Sequence, residues 1–158
     1  KGYLQSDLSN ANVLTSPYKP GVPNYAIDVR FQIVSIPQDG GEFVLTADRS
    51  QGKDGYTAGI LGFLGPGTHS EFANPQVQAY LDPLNAMDSG FVVADYEPGF
   101  IVHTYHIEVQ GPQVLFFIDG LRKSYATSSQ TDFLSNGPIH LKCSKAVVRV
   151  FSVRMTAL

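Results

Sequence analysis

The chain has 158 residues, enough for one domain around one core without staples. Its 11 basic and 14 acidic residues leave a formal charge of -3, which argues against nucleic acid or an anionic membrane surface as the main partner. The single cysteine, Cys143, excludes an internal disulfide, and no apolar run approaches the ~20 residues that a membrane-spanning helix needs.

Glycine and proline, 15 and 10 residues, are spread between short runs rich in Val, Ile, Phe, Tyr and Thr, a spacing that predicts an all-β fold. Gly2–Ser6 and Asn12–Ser16 are the first predicted strands, followed by a Pro17–Pro23 loop. In Asn24–Ile36, Tyr25, Ile27, Val29, Phe31 and Ile33 alternate with Ala26, Asp28, Arg30 and Gln32, so one side meets a core and the other water, as in an antiparallel sheet. Gly41–Asp48, Tyr56–Phe63, Val77–Leu81 and Phe91–Tyr96 come next, with Gly65–Pro75 as a loop inside the same domain. Phe100–Gln110 and Gln113–Asp119 form a hairpin around Gly111-Pro112, and Asp119-Gly120 turns the chain again into Leu121–Ala126. Ser129–Phe133 is one helical turn at most. Pro138–Cys143 and Ala146–Met155 close the chain; the last carries apolar residues on both parities, which predicts cover on both faces, and simple alternation sends Arg149 and Arg154 to opposite sides.

Four segments in this order, Phe100-Ile-Val-His-Thr-Tyr-His-Ile-Glu-Val-Gln, Gln113-Val-Leu-Phe-Phe-Ile-Asp-Gly, Asn136-Gly-Pro-Ile-His-Leu and Val148-Arg-Val-Phe-Ser-Val-Arg, resemble the second half of concanavalin A-like jelly rolls, the lectin/glucanase and laminin G-like folds. Tyr25-Ala-Ile-Asp-Val-Arg-Phe-Gln-Ile-Val is similar to the long opening strand of those folds, so the resemblance covers nearly all of residues 1–158. It implies a jelly-roll β-sandwich of two antiparallel sheets. The same resemblance brings in lectins, polysaccharide-binding modules, sugar hydrolases and ectodomains of bacterial receptor-like kinases, so fold transfers further than function. The laminarinase branch carries Glu-aliphatic-Asp-x-x-Glu, and no Glu-x-Asp occurs in this chain.

Several residues carry candidate chemistry. His103 and His106, three apart on a strand, face opposite sides and cannot share a metal ion; His103 is expected inside with satisfied nitrogens and His106 in water. Asp95 and Glu97, alternate residues near a strand end, and Glu71 in a loop are the carboxylates a glycosidase would use, and His69 and Glu71, two apart in that loop, could reach a ligand together. Asp48 and Asp54 flank a glycine-containing loop that could hold calcium, although the spacing is not an EF-hand, and Lys53 supplies a simple charge balance. Cys143 reads as a small buried side chain, without an adjacent base.

Sugars need aromatic platforms for their C–H faces and paired donors and acceptors for their hydroxyls. Tryptophan is absent, leaving Tyr56, Tyr80 and Tyr96 as platforms. Gln76, Gln78, Tyr80 and Asp82 share one parity, with Val77, Ala79 and Leu81 opposite, and Glu42, Thr46 and Asp48 line the same face from a neighbouring strand.

The reading is therefore a non-catalytic binding module for carbohydrate or another cell-surface ligand, with Gln76, Gln78, Tyr80, Tyr56, Asp48 and Glu42 as its ligand-binding residues. It invokes no cofactor beyond that possible calcium, no nucleic acid and no membrane insertion by this segment, and it leaves oligomeric state open. The chain starts at Lys1 without a signal-like block and reads as a piece excised from a larger extracytoplasmic protein. The alternatives are a glycoside hydrolase acting through Asp95, Glu97 or Glu71, or the ectodomain of a receptor-like kinase.

Overall fold

The computed structural model describes residues 2–7, 11–37, 40–48, 54–64, 76–81, 92–95, 97–128 and 134–158. It is a jelly-roll β-sandwich in which every strand pairing is antiparallel. The strands are β1 (Leu4–Gln5), β2 (Asn12–Thr15), β3 (Asn24–Ser35), β4 (Gly41–Asp48), β5 (Asp54–Phe63), β6 (Gln76–Leu81), β7 (Val92–Asp95), β8 (Val102–Gln110), β9 (Gln113–Ile118), β10 (Leu121–Thr127), β11 (Ile139–Ser144) and β12 (Val147–Ala157). The first sheet has the order β1-β12-β3-β8-β9-β10 and the second β2-β11-β4-β5-β6-β7. No helix among the described residues is long and apolar enough to cross a membrane. The one-turn candidate at 129–133 lies outside the described residues.

Alternation builds the core. Tyr25, Ile27, Val29, Phe31 and Ile33 of β3 are buried, and they face Phe43, Leu45 and Ala47 of β4 and Tyr56, Ala58 and Ile60 of β5 in one apolar cluster. Each large side chain so buried contributes ~1.5–3 kcal/mol. Phe31 lies 4.7 Å from Phe43 and 4.3 Å from Tyr105, which meets Phe116 edge-on at 4.9 Å. Buried hydroxyls need partners, and here they tie the sheets: Tyr105 Oη donates to Phe43 O at 2.8 Å, and the Tyr25 and Tyr56 hydroxyls lie 3.0 Å apart.

The turns follow their residues. Between Ile118 and its partner Leu121, Asp119 and Gly120 take φ of 52° and 80°, the paired positive values of a type I′ hairpin turn. Asp119 is held there by its side chain, which accepts the Thr104 N–H at 2.8 Å and the ring of His103 at 2.6 Å. His103 is buried, as expected, with its other ring nitrogen 2.6 Å from Pro98 O.

Two expectations fail at β12. The register with β3 shifts between Val150 and Ser152, so Phe151 is an extra residue and parity reverses across it. Arg149 lies opposite Gln32 and Arg154 opposite Asp28, which share one side of β3, so both arginines lie on the outer side of the first sheet and not on opposite sides. The same bulge explains the apolar residues on both parities. Val148 and Val150 before it, and Met155 after it, turn to the core, while Phe151 packs outside against Tyr3 with Arg30 over its ring at 5.3 Å.

Candidate binding face of the second sheet

The outer side of the second sheet carries a cross-strand row fixed by register alone: Thr15 of β2 opposes His140 of β11, which opposes Thr46 of β4, then Thr57 of β5, then Tyr80 of β6. The adjoining rows align Lys142, Val44, Gly59 and Gln78, and Ser144, Glu42, Leu61 and Gln76. Five strands thus gather residues up to 125 positions apart in sequence.

At one end of this face His140 is held between two side chains. Its Nε2 is 2.8 Å from Asp48 Oδ2 and its Nδ1 is 2.9 Å from Thr15 Oγ1. The carboxylate accepts from Nε2–H, so in the neutral ring Nδ1 accepts from the Thr15 hydroxyl and leaves that oxygen's lone pairs facing outward. Asp48 is fixed by its backbone as well. Its N–H donates to Pro138 O at 3.0 Å and its C=O accepts from Gly137 N at 2.9 Å. A Cβ on Gly137 would sit 2.8 Å from Asp48 Cβ, so only glycine permits this approach.

In the middle of the face lies Thr46. It is 3% exposed, and its Oγ1 makes no hydrogen bond. Thr57 beside it is equally covered at 2%. A buried hydroxyl without a partner costs ~1–3 kcal/mol, and this oxygen is as closed to a ligand as it is to water.

The sequence-derived site divides accordingly. Register puts Gln76, Gln78, Tyr80, Glu42 and Thr46 on one face, while the side chains of Gln76, Gln78 and Tyr80 lie outside the described part. Val77, Ala79 and Leu81 are buried on the opposite side, as alternation requires. Tyr56 is corrected: it is fully buried, on the inward parity of β5 with Ala58 and Ile60, and cannot offer a ring to a ligand. Burial pushes its hydroxyl pKa up, and the neighbouring Tyr25 adds to the rise. Asp48 faces outward but is engaged by His140; residues 49–53 and the Asp54 side chain lie outside the described part. So do His69, Glu71, Asp82, Tyr96 and the Asp95 side chain, while β7 ends at Asp95 and Glu97 is exposed beyond it. No group of three or more metal-binding side chains occurs among the described residues.

Sequence reasoning missed His140 and Thr15, whose only signal was their outward parity on predicted strands. Thr15, His140 and Asp48 have the connectivity of a hydroxyl, a base and an orienting carboxylate. The N–H of Ser16, next to Thr15, is spent on Ile139 O at 2.8 Å rather than aimed at an oxyanion. The arrangement suits recognition of hydroxyls better than acyl transfer.

A second polar cluster occupies the outer side of the first sheet. His106 is not simply solvated: it lies 2.7 Å from Asp28 Oδ1 and 3.0 Å from Glu108 Oε1, with Phe117 edge-on at 5.5 Å. Burial would lower its pKa, but the hydrogen bonds and charges of Asp28 and Glu108 outweigh that and raise it. Cys143 is buried, donates to Ala146 O at 3.2 Å, and has its thiol pKa pushed up by burial.

No family model and no curated protein matches the chain. Solved structures do. Carbohydrate binding module CBM66 from Bacillus subtilis aligns over 97% of this chain and 86% of its own, at 16% identity and a TM-score of 0.63. A legume lectin-like domain from Entamoeba histolytica aligns over 99% and 84%, at 13% identity and a TM-score of 0.63. A pseudo β-1,3-glucanase of Mycobacterium tuberculosis aligns over 92% and 68%, at 12% identity and a TM-score of 0.60. At these identities the likeness is one of fold, and the chain has the concanavalin A-like jelly-roll fold of lectins and glucanases.

Proposed function

We propose that the chain is a non-catalytic carbohydrate-binding module that works outside the cytoplasm and takes its ligand on the outer side of the second sheet. The observation that carries this reading is His140 held on that side between Asp48 and Thr15, at 2.8 and 2.9 Å. Sugar hydroxyls would find partners in Asp48, Thr15 and His140, with the Gln76, Gln78 and Tyr80 positions extending the row and Glu42 at its border. The similarity to a carbohydrate binding module and a lectin-like domain supports the ligand class. Tyr80, in register with Thr57, is the aromatic position from which a ring could stack on a sugar face.

The test is a broad glycan array, with and without calcium, followed by calorimetric titration of any hit. Binding that falls about tenfold in Thr15→Val and in His140→Ala supports the site, one lost hydrogen-bonded contact being worth ~1.4 kcal/mol. An array without hits under both conditions would overturn the reading.

A further inference from the structure

We propose a second binding site, independent of the sugar face: the free edge of β12 takes an extended peptide segment that alternates apolar and acidic residues. β1 and the adjoining Ser6 cover β12 from Val148 to Val150, and no described strand pairs with that edge from Phe151 onward. Leu158 N–H is bonded to Asn24 O on the β3 side at 3.1 Å. By antiparallel alternation, Thr156 and Arg154 also direct their backbone groups to β3, whereas Val153, Met155 and Ala157 direct theirs to the open edge. Such a ladder of unpaired donors and acceptors is a template for another strand.

The surroundings fit that occupant. Between β12 and β2, the edge of the other sheet, runs an apolar groove of about 960 Å³ lined by Tyr3, Leu14, Tyr18, Val22, Val153 and Met155. Tyr18 is 74% exposed and Val153 45%. A strand bonded to the edge would send alternate side chains into this groove. Its other side chains would lie along the outer side of the sheet, where the bulge has brought Arg149 and Arg154 together near Arg30. Arg149 is bonded to Gln5 and stacked on Tyr3, Arg30 lies over Phe151, and no ion pair to any of the three occurs among the described residues. Charge complementarity therefore selects acidic residues at the outward positions and disfavours a second copy of this strand, whose own charges are both arginines.

A fluorescein-labelled synthetic peptide alternating glutamate and valine, titrated into the protein by anisotropy, tests the proposal. Saturable binding is expected, abolished when the valines are N-methylated, because their N–H groups make the strand bonds. Arg154→Glu should weaken this peptide at least tenfold and create binding of a lysine/valine counterpart. Val153→Pro removes an edge-facing N–H without breaking the β3 ladder and should also abolish binding. Equal binding of the N-methylated peptide, no exchange of charge preference in Arg154→Glu, or no binding at all would overturn the proposal. So would a dimer in sedimentation that Val153→Pro dissociates and the peptide does not.

Discussion

Two buried hydroxyls bear on stability and leave binding untouched. Thr46 Oγ1 and Ser124 Oγ are both buried without a partner, but Thr46 lies on the proposed sugar face and Ser124 points inward from β10 beside a register shift. Removing either oxygen relieves a desolvation penalty, so Thr46→Val and Ser124→Ala should each raise unfolding free energy by ~1 kcal/mol, read from urea midpoints. Neither oxygen reaches the surface, so neither substitution should weaken sugar binding. A loss of stability in both would mean that the hydroxyls have partners. The sequence reached Thr46 by parity but placed Tyr56, its neighbour but nine in β5, on the wrong side. Period two says that Tyr56, Ala58 and Ile60 go together, and the aliphatic pair marks that set as inward. His140 was beyond reach for another reason. Its partners Asp48 and Thr15 are 92 and 125 positions away, and such neighbours exist only once strand order is known.

At the scale of elements, alternation was readable wherever pairing is regular and misleading where it is not. The β8–β9 and β9–β10 hairpins were written in Gly111-Pro112 and Asp119-Gly120, because Gly111, Asp119 and Gly120 take the positive φ that tight turns demand. Gly120 has φ of 80° and open space where a Cβ would stand, so Gly120→Ala costs backbone strain without a clash. A loss of ~1–2 kcal/mol is expected, with Gly120→Asn recovering part of it, since asparagine tolerates this region better. Equal losses for Ala and Asn in urea unfolding would point to a steric cause instead. The bulge at Phe151 had no such signature. Val150-Phe-Ser-Val153 contains neither glycine nor proline, and the extra residue is stabilised by Tyr3 and Arg30, which only the fold brings near. That one unannounced residue moved Arg154 across the sheet.

In the whole molecule the two sheets are joined by packing and by buried phenols. Phe116, expected at the centre, is fully buried against Tyr105, and Phe116→Ala should cost ~3–5 kcal/mol. The Tyr25–Tyr56 pair gives the joint a pH limit, because Tyr25 belongs to the first sheet, Tyr56 to the second, and their hydroxyls meet at 3.0 Å in the interior. Burial pushes the Tyr25 pKa up to about 12, against hydrogen bonds from Tyr56 and Ser135 that lower it, and raises Tyr56 well above its ordinary value. In the unfolded chain both ionise near ~10. Folded pKa values above unfolded ones mean that the unfolded state releases protons first. The stabilisation is therefore complete below pH ~10 and is lost as pH rises towards the folded value. Urea unfolding at pH 8, 10 and 11 should show stability falling above pH 10 in the wild type and a flatter profile in the Tyr25→Phe/Tyr56→Phe double variant. At pH 8, Tyr25→Phe alone should cost ~1–3 kcal/mol by stranding the Tyr56 hydroxyl, and the double variant should recover most of that loss. Parallel alkaline profiles in wild type and double variant would place the sensitivity elsewhere and leave the two phenols as packing alone.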